Sequence, residues 1–239
     1  MSLNQSNPKW DEVFSEATAS GRPPINPVID GQLVEQWKAD LSILRGHCSH
    51  LLGSRDVYRR TQHVIADNPT LNIPSAFFDL IAEGYAASGT LGVRRLVFPS
   101  GNAVCMMGML HAFKRNLHLL TRTAAAARSR TCGLAFEERF PEVESITHAM
   151  IDADIDALKE VCRPLKQHAD ERLAHLAREP RSSIPTFREL HDALETIEGI
   201  LLRYGPVVDG QMFQYLHPIF DHDWMAVFRV PWSVPIPVR

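Results

Sequence analysis

The sequence predicts an all-α fold, a bundle of about five to seven helices followed by an extended, proline-rich C-terminal tail. Three observations carry this. Apolar residues recur at spacings of three and four through most of the chain. Capping residues and prolines fall at the ends of those periodic stretches. Strand signals are weak and confined to Val227-Phe228-Arg229-Val230.

The first helix starts at Asp30, a good N-cap. Leu33, Trp37, Leu41, Leu44, Cys48 and Leu51 then form one stripe. Gly53 is a place for a break or bend, and Asn68-Pro69 ends the helix. A second helix opens near Pro74 and runs through Phe77, Leu80, Tyr85, Leu91 and Leu96. It is apolar on more than one face, which places it in the middle of the bundle. After the loop Pro99-Ser100-Gly101-Asn102, a third helix is expected from about Val104 to Leu120. Residues 121–142 give mixed signals: four alanines at 124–127 favour helix, and Thr131, Cys132 and Gly133 do not. A helix from about Ser145 carries Ile151, Ile155 and Leu158, and Pro164 should kink or restart it before it runs on to about Ala177. Thr186-Phe187-Arg188-Glu189 reads as a capping box. It opens a last helix through Leu190, Leu194, Ile197 and Leu201, which Pro206 interrupts and which continues to about Leu216. The organisation expected is an N-terminal extension with a short helix (1–29), a helical domain (30–217) and a tail (218–239) packed on it.

The 239 residues are 45% hydrophobic and 22% charged, ordinary for a globular domain with a sizeable core. The net charge of −3 makes no global case for nucleic acid, so any such case must be local. The four cysteines, Cys48, Cys105, Cys132 and Cys162, form no CxxC pair and fit no zinc site. Reduced thiols in a cytoplasm are expected. The N-terminus has no basic region followed by an apolar run, and no stretch approaches the roughly 18 apolar residues of a membrane span.

Chemistry concentrates in HADERLAHL, residues 168–176. On an α-helix His168 and His175 lie two turns apart, with Arg172 on the same face. Two imidazoles can shuttle protons near neutral pH, and a guanidinium can hold phosphate oxygens. That set suits metal-independent RNA cleavage, and it equally suits the solvated face of an ordinary helix. Lys114, Arg115, Arg122, Arg128 and Arg130 make residues 111–131 a basic run without an acidic residue, either a phosphate track or a solvated face. His217, Asp221, His222 and Asp223 have metal-ligand chemistry, but a proline-rich tail with no second ligand set argues against a metal. Surface placement accounts for His47 and His50, three apart on a helix. There is no nucleophile elbow and no glycine-rich phosphate loop. No cofactor is expected.

Three blocks carry a family resemblance. ERLAHL followed by PTFRELHDALETIEGILLRY (185–204) resembles the C-terminal half of HEPN-type domains of the abortive-infection AbiU kind. Residues 54–98, from SRDVYRRTQ to GVRRLVF, resemble the N-terminal half of those proteins, and DWMAVFRVPW (223–232) their terminal segment. The resemblance implies an all-α bundle that dimerises with two motif helices facing each other, in a defence or stress setting with an antitoxin or other protein partner. Active members cleave RNA without metal, through an arginine followed by four to six residues and a histidine. The histidine carries over to His175. The arginine does not: the positions at those spacings are Asp170, Ala169 and His168. Arg163 and His168 fit formally, but Pro164 follows the arginine and the Ala-His pair then falls outside the motif. Substitutes are Arg172, Lys166 or a residue of the partner subunit. Arg94 and Arg95, in the resembling block, are further RNA-contact candidates, as is Arg115; the alternative for the Arg94-Arg95 pair is interhelical ion pairing. A metal-independent ribonuclease and a silent module binding RNA, a nucleotide or a protein both stay open.

Overall fold

The computed structural model describes residues 27–69, 71, 72, 74–174, 183–220 and 223–229. Among them the fold is all-α. The helices are α1 (Pro27–Asp67), α2 (Ala76–Val97), α3 (Met106–Arg115), α4 (Arg122–Arg128), α5 (Arg130–Arg139), α6 (His148–His168) and α7 (Phe187–Asp209). A π-helical turn, Ala169–Leu173, continues α6, and 3-10 turns cover Leu117–Leu119 and Trp224–Arg229. The last of these stands where the weak strand signal lay. The chain divides into two compact units, Met1–Gln36 and Trp37–Arg239, and the bundle described here belongs to the second. Residues 1–26 of the expected N-terminal extension and the prolines at 231, 235 and 237 lie outside the described residues, and α1 starts at Pro27, ahead of the expected Asp30.

The core follows the apolar stripes. On α1, Trp37, Leu41, Leu44, Cys48 and Leu52 are buried at spacings of three and four. Trp37 meets Phe113 of α3 edge-on at 4.7 Å between ring centres, and Phe113 and Phe140 both lie 5.8 Å from Tyr204 of α7. Ile151, Ile155, Leu158, Cys162 and Leu165 form the buried stripe of α6. Burial pushes the Cys48 and Cys162 thiols up to about 12, so both stay protonated and inert.

Helix starts are capped as the sequence predicts for α7, where Thr186 Oγ1 accepts from Glu189 N and the Glu189 carboxylate accepts from Thr186 N. The mixed region 121–142 becomes a tight α4–α5 hairpin. Thr121 caps α4, Ser129 caps α5, and Gly133 lies close enough to Ala126 that a Cβ would sit 3.1 Å from its Cα. α1 runs through Gly53 without a break; the Pro218 ring packs against it, and an added Cβ would fall 2.6 Å from that ring. α6 runs through Pro164 to His168, and α7 passes Pro206 and stops at Asp209, with Gly210 left-handed at φ 73°. α2 packs on α6 and α7, as expected of a central helix. Its second apolar face is open, however: Leu80 is 65% exposed.

Candidate functional site

The motif region begins at the end of α6. The π turn is closed by Ala174 N donating to Ala169 O at 2.7 Å, with Ala169 fully buried. This i→i+5 register is wider than an α turn, and such turns recur at functional sites. The α-helical phase of α6 therefore changes between His168 and Ala174. His175 and residues 176–182 lie outside the described residues.

His168, the last residue of α6, is partly buried, and its Nδ1 is enclosed without a hydrogen-bond partner among the described residues. Partial burial, then the nearby Arg172 charge, hold its pKa below the ordinary histidine value. The imidazole is therefore neutral at pH 7 and able to accept a proton. Arg172 sits within the π turn.

The neighbouring cations are engaged. Arg94 Nε donates to Asp170 Oδ1 at 2.9 Å, and Lys166 Nζ to Asp170 Oδ2 at 2.7 Å. Burial works to raise the Asp170 carboxyl, but these two hydrogen bonds and charges outweigh it and hold the pKa low. Lys166 also lies 5.7 Å from the Phe98 ring centre. Arg94 is thus an interhelical ion-pair partner between α2 and the π turn. Arg95, one residue on, is exposed and lines a different surface, the cleft between α1 and α2. Arg115 is exposed in the last turn of α3.

The basic run 111–131 is largely structural. Arg128 donates to the carbonyls of Leu119 and Val207, Lys114 to Asp152, and Arg122 to Glu144 and two backbone carbonyls. A phosphate track along that run finds these donors occupied. His217 has a structural role as well. Arg55 Nη2 can only donate, so His217 Nε2 accepts it at 3.1 Å, and His217 Nδ1 donates to Asp56 Oδ2 at 2.7 Å. Asp221 and His222 lie outside the described residues, among which no metal-ligand cluster occurs.

Sequence reasoning missed what His47 and His50 do. Surface placement is where they are, but both line the α1–α2 cleft with Arg95. Only the pairing of two helices shows it, because the helical spacing of His47 and His50 marks a shared face and not what faces it. It also missed the aromatic stack of Tyr58 on Tyr85, 4.3 Å apart and nearly parallel, with Tyr85 Oη 2.9 Å from His191 Nε2. Comparison of the chain with family models, curated proteins and solved structures finds no match.

Proposed function

We propose that the chain is a HEPN-like protein of the abortive-infection kind that acts on RNA, cleaving the strand without a metal as a cytoplasmic homodimer. The observation that carries the reading is His168: a neutral imidazole at pH 7, beside Arg172, at a π turn directly preceding His175. In this reaction the imidazole takes the ribose 2′-hydroxyl proton and the 2′-oxygen attacks phosphorus. The guanidinium of Arg172 offsets the phosphorane charge, and the 5′-oxygen leaves with a proton from the second histidine. The products are a 2′,3′-cyclic phosphate and a 5′-hydroxyl. The test is cleavage of RNA by the purified protein in excess EDTA, beside His175→Ala and His168→Ala. Cyclic-phosphate ends formed by the wild type and reduced about a hundredfold or more in either variant support the reading.

One observation favours the silent alternative. Asp170, within the motif turn, occupies both Arg94 and Lys166. If a broad panel of RNAs is bound but never cut, the module binds RNA without cleaving it.

A further inference from the structure

The cleft between α1 and α2 consists of two adjoining cavities that share His50, Ser54 and Ser88. The first holds about 670 Å³, and its polar rim is His47, His50, Arg95 and serines over a floor that includes Leu51, Leu91 and Leu96. The second holds about 600 Å³ and is walled by Tyr58, Tyr85, Ile81, Pro218 and Phe220. Among the described residues no carboxylate lines either cavity. Arg45, Arg55, Arg94 and Arg203 all pair with carboxylates, whereas the cleft sets Arg95 and its two imidazoles among neutral groups. The Arg95 guanidinium and the His47 and His50 rings make no hydrogen bond or ion pair among the described residues. An exposed, unpaired cation beside two imidazoles fits an anion, and the aromatic wall at the other end fits a flat ring.

Length decides which anion. His50 and Tyr58 are eight residues apart on one helix, roughly 12 Å along its axis. At the 3.4 Å rise of a stacked strand, that is about three to four nucleotides. A mononucleotide fills one cavity, with its base at Tyr58 and its phosphate at His50, which line it together; reaching His47 and Arg95 in the other cavity at the same time takes a strand.

We propose that this cleft binds single-stranded RNA, with Arg95, His47 and His50 on the phosphates and a base against Tyr58 and Phe220. The inference rests on the reading of the chain as acting on RNA, and it names where the strand enters, on the surface of α2 that carries Arg95 and not Arg94.

The test is fluorescence anisotropy with a fluorescein-labelled octamer of adenylate RNA. Wild type, Arg95→Ala, His47→Ala/His50→Ala, Phe220→Ala and Lys159→Ala are compared at several salt concentrations. Arg95→Ala should weaken binding about tenfold and lower the salt slope by about one. Phe220→Ala should weaken it roughly fivefold or more. Lys159→Ala, which removes an exposed cation of α6 that lines neither cavity, should bind like wild type, so that a loss in Arg95→Ala is not a loss of net charge alone. Because Arg95, His47 and His50 are exposed, their variants keep the fold, checked by circular dichroism. Unchanged affinity and slope in Arg95→Ala and in the double variant overturn the cleft even if cleavage is found. Competition by adenosine monophosphate as strong as by unlabelled octamer assigns the cleft to free nucleotides and overturns the strand.

Discussion

Arg45 and Asp209 close a salt bridge in which the two side chains are 8% and 7% exposed, and the guanidinium lies directly on Gly205. Removing one member strands the other charge in the interior. Asp209→Ala is expected to cost about 3–5 kcal/mol in urea unfolding, whereas replacing both members, Arg45→Met with Asp209→Leu, costs much less. A second residue-scale expectation concerns pH. Partial burial first, then the charges of Arg55 and Arg59, lower the His191 pKa, as burial and Arg172 lower that of His168. Between the folded and unfolded values the unfolded chain holds more protons. Stability is therefore full above the ordinary histidine value of about 6.5 and is lost as pH falls through the folded values. Tm should drop from pH 7 toward pH 5, and His191→Gln should flatten that slope; an unchanged slope would remove His191 as a contributor. These residues were hidden in the sequence for one reason. Arg45 and Asp209 lie 164 positions apart, and helical periodicity gives no register between helices.

Helix α2 owes its place to small residues. A Cβ on Gly89 would meet Leu190 of α7 at 2.8 Å, and one on Gly92 would meet Leu51 of α1 at 2.5 Å. Gly89 and Gly92, three residues apart, share one face, and the run SGTLG lets that face approach two neighbouring helices. Gly89→Ala should destabilise by about 1–3 kcal/mol through overpacking. Leu190→Ala alone should cost about 2–5 kcal/mol, and the double variant should cost less than the sum. Additive costs in urea unfolding would mean that Leu190 swings aside without strain. Element existence was legible wherever a cap and a stripe agreed: Thr186 with Glu189 for α7, and the Leu41-Leu44-Cys48 stripe for α1. Neither Pro164 nor Pro206 ends its helix, although local rules price an interior proline as a kink or a break. Here the helices on either side are pinned by Leu158, Cys162 and Leu165, and by Tyr204, Val207 and Val208, all fully buried. Tertiary burial outweighs the lost backbone bond, and α6 gives way only at the π turn beyond Pro164.

At the scale of the whole molecule, the segment after α7 is held against the bundle by a few polar ties. His217 bridges Asp56 and Arg55 of α1, Glu198 of α7 accepts from Leu216 N at 2.7 Å, and Pro218 fills the space over Gly53. The sequence marked this stretch as a proline-rich tail and His217 as a metal candidate. It could not show that Gly53 and Pro218, 165 positions apart, are one joint. That joint matters for the cleft, because Pro218 and Phe220 form one wall of its aromatic end. His217→Ala removes the donor to Asp56 and the acceptor of Arg55 but leaves Arg55 paired with Glu195 at 3.3 Å, so the bundle should survive. Hydrogen exchange of the Leu216 amide should then speed up about tenfold or more, with the amides of α2 and α6 unchanged. The same variant should bind the adenylate octamer several-fold more weakly, although His217 lines neither cavity. Faster exchange without weaker binding would mean that the wall is not part of the RNA surface. Unchanged exchange would mean that Leu216 and Pro218 hold the segment by packing alone, with the polar ties contributing nothing measurable.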